Sequence, residues 1–420
     1  MLEQLELGGY RLLDGFRADF GRLTVVIGAN ACGKSTLIDS LAFVTDAMQN
    51  ALDDVLSRRV SAGSIRSATR KEKTFGWKLT FTKPKDHPVW SRVPVGPDQQ
   101  IVYEATIGED TLQQAIPVHE ALRNANPLPG YSSPFKMLEA RGERAFIFDK
   151  QQKKLVAFNA PAPAEAANAE APSPTPEMKW LLLGQMNFIN EYPIPTWIRG
   201  MLANFYYYPG FDVGRFSSLR TQFAEIRPNT ALNWNGDNLG AVLHEILTRY
   251  DHHEQAEEIK GFLRSAYPFF QDITAETAFG RGPRILLRVR EANVPRAIEV
   301  WELSDGVLRM LCLAAALLNP VPPALIAIDE PEAGLHPRLL PIVAGMIKAA
   351  SERTQVLITT HSPQLLNCFD VENVAVMARQ DGRATWSRPA ERKSLRRMLE
   401  NVVGDSLGDL HTSGELEAMA

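Results

Sequence analysis

A glycine-bounded loop between a strand and a helix constrains this chain more than any other feature of its sequence. The residues Gly28-Ala-Asn-Ala-Cys-Gly-Lys-Ser35 match the pattern G-x-x-x-x-G-K-[ST]. The β-branched apolar run from Val25 to Ile27 predicts a buried strand before the loop, and an amphipathic helix is predicted from Ser35 to about Leu56. A strand, such a loop and a helix in this order predict a phosphate-binding site.

The chemistry of the loop follows from its glycines. Backbone N–H groups converge on an anion only where glycines let the chain curl, and a helix N-terminus adds partial positive charge. We therefore expect a nucleoside triphosphate here, with Lys34 reaching its β- and γ-phosphates and the Ser35 hydroxyl binding Mg²⁺. The residues predicted to hold the nucleotide are Gly28, Ala29, Asn30, Ala31, Cys32, Gly33, Lys34, Ser35 and Thr36.

Two later apolar runs end in polar residues that complement this loop. Leu325-Ile-Ala-Ile-Asp-Glu330 predicts a buried strand that delivers two carboxylates to the same edge of the sheet as the phosphates. Asp329 is predicted to hold Mg²⁺, and Glu330 is predicted to act as general base toward the attacking water. The run Val356-Leu-Ile-Thr-Thr-His361 predicts the next strand, which places His361 near the γ-phosphate or that water.

A second helix N-terminus also has the character of an anion site. The residues Ser304, Asp305 and Gly306 precede a helix predicted from Val307 to Leu318. One nucleotide in one chain does not need two such ends. If both are used, the second belongs to a nucleotide held by another subunit.

Composition limits the class of protein. The 420 residues are 45% hydrophobic, enough for a sizeable core, and the net charge of −4 leaves room only for local contacts with nucleic acid. The three cysteines, Cys32, Cys312 and Cys368, form no C-x-x-C pair and favour a reducing cytosol. The sequence predicts neither a signal peptide nor a membrane span, and hence a cytoplasmic location.

The chain divides into four predicted segments. Residues 1–158 are predicted to form a first lobe with the phosphate loop and a β-rich part, and residues 159–215 an insertion that begins with an Ala- and Pro-rich linker. A change to helical periodicity predicts a helical subdomain over 216–271. Residues 272–420 are predicted to form the second lobe and a C-terminal tail, with a basic helix at 392–399.

Basic residues leave a nucleic-acid contact open. The densest run in the first half contains Arg58, Arg59, Arg66, Arg70, Lys71 and Lys73. A strand at 284–290 carries three more arginines on its polar face. Either set could contact phosphates, which need charge but no fixed geometry. A solvated loop and an ordinary solvated sheet face are the alternative readings.

Taken together, these motifs resemble those of the ABC-type ATPases of the SMC, Rad50 and RecF group. Within this group the chain looks most similar to short AAA-family ATPases related to overcoming-lysogenisation-defect proteins. The resemblance rests on a Walker A motif at 28–35, a signature at 303–306, a Walker B motif at 325–330, a D-loop at 331–337 and a switch histidine, His361. It implies an α/β P-loop NTPase fold of two lobes, with a mixed central sheet and a helical insertion.

The resemblance also implies how the sites are assembled. Two ATP molecules would lie between two head-to-tail copies of the chain, so that ATP binding forms a homodimer. One copy would supply Lys34, Ser35, Asp329, Glu330 and His361. The other would supply Ser304, Asp305 and Gly306 in trans.

The chain departs from the group at several positions. Ala31 replaces a frequent glycine, and Asp305 replaces the first glycine of the common Leu-Ser-Gly-Gly. Gln99 and Gln100 are weak candidates for the Q-loop glutamine. The helical insertion is too short for a coiled-coil arm, and the sequence after His361 leaves no room for a Toprim nuclease domain.

Three functions remain in competition at this stage. The preferred one is an ATP-gated dimeric switch in DNA maintenance or phage defence that works with a separate effector. The second is the ATPase subunit of an ABC transporter, and the third is a nucleotide-binding protein with negligible turnover.

Overall fold

The computed structural model describes residues 1–59, 65–68, 73–82, 100–110, 114–142, 144–149, 152–158, 179–187, 190–221, 224–225, 231–279, 283–391 and 406–418. The chain forms two compact units, each discontinuous in sequence. The first comprises Met1–Gly21, Ala29–Phe205 and Met377–Ser387, and the second comprises Arg22–Gly28, Tyr206–Val376 and Arg388–Ala420. The four segments predicted above do not follow this division and remain a sequence-based proposal. The predicted linker after 159 and the basic helix at 392–399 lie outside the described residues.

The strands are numbered in chain order. They are β1 (Leu2–Gly8), β2 (Phe16–Asp19), β3 (Leu23–Ile27), β4 (Phe75–Phe81), β5 (Ile101–Glu109), β6 (Ala115–Pro127), β7 (Pro134–Arg141), β8 (Arg144–Asp149), β9 (Lys154–Ala157), β10 (Phe205–Tyr208), β11 (Ala224–Glu225), β12 (Phe270–Phe279), β13 (Pro283–Glu291), β14 (Ile298–Glu299), β15 (Leu325–Asp329), β16 (Gln355–Thr359), β17 (Val374–Gln380) and β18 (Arg383–Ser387).

The α-helices are numbered in the same way. They are α1 (Lys34–Ala47), α2 (Leu52–Ser57), α3 (Pro193–Leu202), α4 (Ser218–Thr221), α5 (Leu239–Thr248), α6 (His253–Ala266), α7 (Asp305–Leu317), α8 (Leu340–Arg353), α9 (Pro363–Leu366), α10 (Leu407–Thr412) and α11 (Glu415–Ala418). Among the described residues, no helix has the length and apolarity that crossing a membrane requires.

The first unit is built on an antiparallel sheet. Its eight strands lie in the order β2-β1-β4-β5-β6-β7-β8-β9. Alternating residues of β4, among them Phe75 and Trp77, are buried, which confirms the predicted alternation from Phe75 to Phe81. Phe43 of α1 packs against both, with ring centroids 5.5 Å and 5.8 Å away. Aromatic packing therefore fixes the helix that follows the phosphate loop against this sheet.

The helix after the loop is shorter than predicted. It ends at Ala47, and α2 begins at Leu52, so the prediction of one helix to about Leu56 is wrong. Ala51 has an extended backbone, and the Leu52 amide donates to the Lys179 carbonyl at 2.8 Å. Asn50 donates its side-chain amide to the Asp46 carbonyl at 3.1 Å. These bonds satisfy polar groups at the break and end the first helix there.

The second unit contains parallel strands in the order β15-β16-β3-β17, within a sheet whose full order is β10-β15-β16-β3-β17-β18. Every residue of β3 and β16 is buried, as the continuous apolar runs predict for parallel strands covered on both faces. Helices α7 and α8 contribute to the same apolar core. This arrangement confirms the α/β class with a mixed set of sheets.

The region predicted as a helical subdomain is more mixed. It contains α4, α5 and α6, but β11 and the start of β12 also lie within 216–271. Strands β11, β12, β13 and β14 form a separate sheet. The predicted apolar stripe of α5, including Leu239, Val242 and Ile246, is buried. Helical periodicity therefore located the helices but not the strand between them.

Candidate active site

The phosphate loop begins where β3 ends. Gly28, in the second unit, follows β3 with a φ of 151°, and the loop continues into the first unit, where α1 begins at Lys34. Gly33 has a φ of 111°, and Ala31 has a φ of 61°. A left-handed backbone costs a non-glycine residue about 1 kcal/mol or more. The alanine that replaces the usual glycine therefore keeps the glycine conformation.

The start of α1 is arranged to accept an anion. The helix has no side-chain cap and no acidic residue in its first turn, so no carboxylate competes for its first backbone N–H groups. Ser35 is exposed at this end. Lys34 is buried, and its Nζ donates to the Ala29 carbonyl at 3.1 Å and contacts Cys32 Sγ at 3.9 Å. The ammonium group thus lies over its own loop.

The carboxyl ends of three parallel strands meet at one edge of the second unit. Asp329, the last residue of β15, is paired in register with Thr359 of β16, which is paired with Val26 of β3. The Thr359 hydroxyl donates a short hydrogen bond to Asp329 Oδ1 and so orients this carboxylate. Gly28 follows two residues after Val26. The sheet therefore brings the Walker B carboxylate and the first residue of the phosphate loop to the same edge.

Glu330 has a strained backbone. Its φ is 49°, in the left-handed region, and its amide donates to both the carbonyl and the hydroxyl of Thr359, at 3.1 Å and 3.2 Å. Such strain costs of order 1 kcal/mol and persists only where neighbouring contacts hold it. The turn leaves the Glu330 side chain half exposed beyond the strand.

His361 lies beside this carboxylate. The distance from His361 Nε2 to Glu330 Oε1 is 3.7 Å, and both side chains are partly exposed. The structure therefore brings together Asp329, Glu330 and His361, as the sequence predicts for the ends of neighbouring strands. A base and an imidazole this close to each other can share the orientation of one water molecule.

A third carboxylate, Glu332, was missed by the sequence analysis. Its Oε1 accepts the Thr360 hydroxyl at 2.6 Å and the His361 amide at 3.0 Å, whereas its Oε2 is buried with no hydrogen-bond partner. Burial raises the pKa of Glu332, and the negative charge of Glu330 adds to the effect. The signal in the sequence was the Asp-Glu-Pro-Glu pattern, in which a further carboxylate follows the predicted general base Glu330 by two residues.

The signature residues lie at the start of α7. Ser304 is the N-cap, and its hydroxyl accepts the Val307 amide at 3.4 Å. Ser304 and Asp305 are exposed, and Gly306 is partly so. The helix begins two residues earlier than predicted because Ser304 caps it. The predicted N-terminus therefore faces away from the core of its own unit.

Three of the described arginines in the predicted basic sets form ion pairs within the chain. Arg59 forms ion pairs with Asp39 and Asp46, and Arg66 pairs with Glu109. On β13, Arg288 pairs with Glu276 and Glu299. Arg70, Lys71 and the Arg284 side chain lie outside what the structure describes, as does Gln99. Gln100 donates a short hydrogen bond to Glu3, so its side chain is engaged within the first sheet.

The donor set suits magnesium. Mg²⁺ in nucleotide sites takes one or two protein oxygens, with phosphates and water as its other ligands. Ser35 of the first unit has an exposed hydroxyl, and Asp329 of the second unit has an oriented carboxylate. Each group by itself is of a kind that Mg²⁺ takes as a ligand. Among the described residues, there is no group of three or more His, Cys, Asp or Glu side chains that could hold a metal ion.

Solved structures share this fold. The chain is similar to an SMC head bound to the C-winged helix domain of ScpA, with a TM-score of 0.52 and 13% identity, over 92% of this chain and 97% of that one. It is also similar to an Smc head with an extended coiled coil bound to the C-terminal domain of ScpA, derived from Pyrococcus furiosus. That match has a TM-score of 0.51 and 10% identity, over 95% of this chain and 99% of that one.

A curated relative matches more narrowly. The Nod factor export ATP-binding protein I of Mesorhizobium japonicum (strain LMG 29417 / CECT 9101 / MAFF 303099) is 35% identical over 95 residues. The match covers 20% of this chain and 27% of that protein, so the chain spans only about a quarter of the relative's length.

A family model matches most of the chain. The model described as "AAA domain, putative AbiEii toxin, Type IV TA system" covers residues 23–367, from β3 through the segment that follows His361. This span contains the phosphate loop, the signature and both strand ends described above. The chain therefore belongs to this AAA-domain family, and it has the fold of SMC heads.

Proposed function

We propose that this protein binds ATP with Mg²⁺ through residues 28–36 and hydrolyses it to ADP and phosphate. The observation that carries the proposal is the arrangement at the end of β15, where a strained Glu330 lies 3.7 Å from His361 and follows the oriented Asp329. Lys34 and the start of α1 would bind the phosphates, and Ser35 and Asp329 would hold Mg²⁺, which neutralises phosphate charge when bound.

In this mechanism Glu330 accepts the proton of the attacking water. His361 orients that water or the γ-phosphate, since its ring lies next to the same carboxylate. Asp329 keeps its orientation because Thr359 donates to one of its oxygens. Phosphoryl transfer depends mainly on such positioning and on charge stabilisation, so each of these contacts supports the reaction.

The second part of the proposal is a dimer that closes on ATP. Ser304, Asp305 and Gly306 lie at an exposed helix N-terminus, where a second copy's triphosphate could reach them. The fold of SMC heads over nearly the whole chain supports this arrangement. A homodimer would contain two composite sites, each built from both copies.

The third part of the proposal is a biological role in which a separate effector protein responds to the dimer. We propose DNA maintenance or phage defence, with the ATP-bound dimer as the signal that the effector reads. The matched family is described as "AAA domain, putative AbiEii toxin, Type IV TA system". The two SMC heads were solved with ScpA domains bound, which supports a protein partner. DNA is a further proposed partner. We place the protein in the cytoplasm, where its free cysteines would stay reduced.

The decisive experiment uses Glu330→Gln. We expect hydrolysis to fall at least about a hundredfold while ATP binding persists, because the general base is lost but the phosphate loop is not. Light scattering after gel filtration should show a dimer with ATP and Mg²⁺. Lys34→Ala should abolish both binding and dimer, and Glu254→Gln, an exposed glutamate of α6, serves as the control. One unchanged monomer peak for Glu330→Gln would refute the dimer.

A transporter subunit is the second candidate. The match to a Nod factor export ATP-binding protein favours it, but the matched 95 residues are a small part of both chains. Purification from membranes and from the soluble fraction distinguishes the two. A membrane permease that copurifies in fixed ratio supports transport, whereas an ATP-dependent dimer without one supports the switch.

A further inference from the structure

Asp305 creates an electrostatic problem for the proposed dimer. It is the first residue of α7, its side chain is 65% exposed, and it follows the Ser304 cap directly. An aspartate at a helix N-terminus stabilises its own helix, but its charge repels an approaching triphosphate. The same end can serve as a trans anion site only if this carboxylate is neutralised or turned away.

Arg220 of α4 forms an ion pair with Asp305 and so neutralises its charge. Its Nη2 lies 2.6 Å from Asp305 Oδ1, and its Nη1 donates to the Leu303 and Trp301 carbonyls at 2.7 Å and 3.0 Å. Its Nε donates to the Val213 carbonyl at 2.8 Å. One guanidinium therefore holds the carboxylate and the backbone that leads into the signature.

The contrast in exposure indicates which partner is fixed. The Arg220 side chain is only 9% exposed, although the Asp305 side chain reaches solvent. A planar guanidinium with its donors bound to several carbonyls has little freedom to move. Arg220 is thus a rigid anchor, and Asp305 is the group whose orientation it sets.

The neighbouring acids are neutralised in the same way. Glu302 forms a two-pronged ion pair with Arg296, with distances of 2.7 Å and 2.8 Å. Glu299 pairs with Arg288 at 3.2 Å. Each of the three carboxylates from 299 to 305 therefore has an arginine partner. Paired charges leave the helix end less repulsive to an anion.

We infer that Arg220 is a positioning residue of the signature, which neutralises Asp305 and fixes residues 301–305 so that α7 can meet the partner copy's triphosphate. The inference rests on the proposed dimer. It concerns the helix end that one copy lends to the other, so Arg220 acts on the neighbour's site and not on the nucleotide of its own chain.

The first test is a double-mutant cycle. Arg220→Ala is expected to lower hydrolysis about tenfold or more, because a charged hydrogen-bonded pair is broken beside the bound anion. Affinity of the monomer for a fluorescent ATP analogue should not change, since the phosphate loop is intact. In the Asp305→Gly background the same Arg220→Ala change should cost clearly less than in the wild type, because only the hydrogen bonds from Arg220 to the backbone carbonyls remain to be lost.

The cycle separates the inference from a structural effect. If Arg220→Ala costs as much in the Asp305→Gly background as in the wild type, Arg220 does not act through Asp305 and the inference is overturned. Thermal unfolding of each variant is measured in parallel. Arg220→Lys, which keeps the charge but loses the fork, is expected to recover part of the activity if charge contributes.

Mixing two impaired variants tests the action in trans. Arg220→Ala chains keep a sound phosphate loop, and Lys34→Ala chains keep a sound signature. An equal mixture should hydrolyse ATP clearly faster than either variant alone, because each mixed dimer contains one complete site, built from the phosphate loop of the Arg220→Ala chain and the signature of the Lys34→Ala chain. Ser304→Arg mixed with Lys34→Ala is the reference. Recovery in the reference alone overturns the inference, whereas failure of both mixtures overturns the proposed dimer.

Discussion

Two carboxylates, the buried Glu120 of the first unit and the half-buried Glu332 of the second, both have a perturbed pKa but differ in what surrounds them. Both have a raised pKa, chiefly because burial disfavours the charged form. Both accept hydrogen bonds from one hydroxyl and from backbone N–H groups. A perturbed pKa therefore does not by itself identify a catalytic group, and the neighbours must decide.

The neighbours of Glu120 are structural. Its Oε2 accepts the Leu182 amide at 2.6 Å, and its Oε1 accepts the Leu183 amide at 2.8 Å and the Tyr103 hydroxyl at 3.0 Å. Residues 181–183 are themselves buried. Glu120 thus fastens a returning segment of chain to the sheet of the first unit and uses both oxygens to do so.

The neighbours of Glu332 belong to the proposed catalytic site. Only its Oε1 is used, and the donors are Thr360 and His361, at the end of the strand that positions the imidazole beside Glu330. The comparison predicts that changes at Glu120 affect stability, and that changes at Glu332 affect turnover. The following experiments test this separation, from the largest expected effect to the smallest.

Glu120→Ala should cause the largest change. It removes the acceptor of two buried amides and one buried hydroxyl, so we expect the free energy of unfolding to fall by about 3–5 kcal/mol. Denaturant titration measures this loss. Hydrolysis per folded molecule should remain within about twofold of wild type. A variant of normal stability with impaired turnover would reverse the assignment of Glu120.

The pH dependence of stability should also depend on Glu120. Burial raises the pKa of Glu120 to about 7. The unfolded chain therefore releases this proton at a lower pH than the folded one, and the carboxyl's contribution to stability declines as pH rises from about 4.5 to about 7. The free energy of unfolding of wild type relative to Glu120→Gln should fall by up to about 3 kcal/mol across this window.

Comparing the two proteins over a range of pH provides the control for this prediction. Glu120→Gln loses one acceptor at every pH, because the two amides bind different oxygens, so a constant offset is expected. Only the difference between the two proteins that changes with pH reports ionisation. A difference that stays flat from pH 5 to pH 8 would mean that the folded state does not raise the pKa of this group.

The strands that lead into the candidate site could be predicted from the sequence, whereas the side-chain contacts of Glu332 and Arg220 could not. The apolar runs of β3, β15 and β16 and the residues that follow them can be read from neighbouring positions, because parallel strands end at one edge. Glu332 and Arg220 act on partners 28 and 85 residues away along the chain. No local pattern encodes such pairs, so only the folded chain reveals them.

Ala31 illustrates an intermediate case. The sequence marks it as a departure from the usual glycine, and the pattern of the loop predicts a tight turn there. Its φ of 61° shows that the turn is kept despite the added methyl group. The break between α1 and α2 was not predicted, because it depends on a hydrogen bond to the Lys179 carbonyl, which is far away in sequence.

Glu332→Ala tests the catalytic side of the comparison. We expect kcat to fall about tenfold, because His361 loses the acceptor that fixes its backbone, while KM for ATP stays within about threefold. Glu332→Gln keeps an acceptor at the Oε1 position and should recover most of the activity. Equal losses in both variants would mean that the charge of Glu332 matters more than its position.

The smallest expected effects come from removing the one hydroxyl group that donates a hydrogen bond to each carboxylate. Tyr103→Phe deletes the hydroxyl 3.0 Å from Glu120 and should lower the free energy of unfolding by about 1 kcal/mol without changing kcat. Thr360→Val deletes the hydroxyl 2.6 Å from Glu332 and should lower kcat by about threefold. Both substitutions preserve the shape of the side chain. If Tyr103→Phe lowers kcat as much as Thr360→Val does, the two carboxylates are not separate in function, because a distant structural contact would then affect the catalytic residues equally.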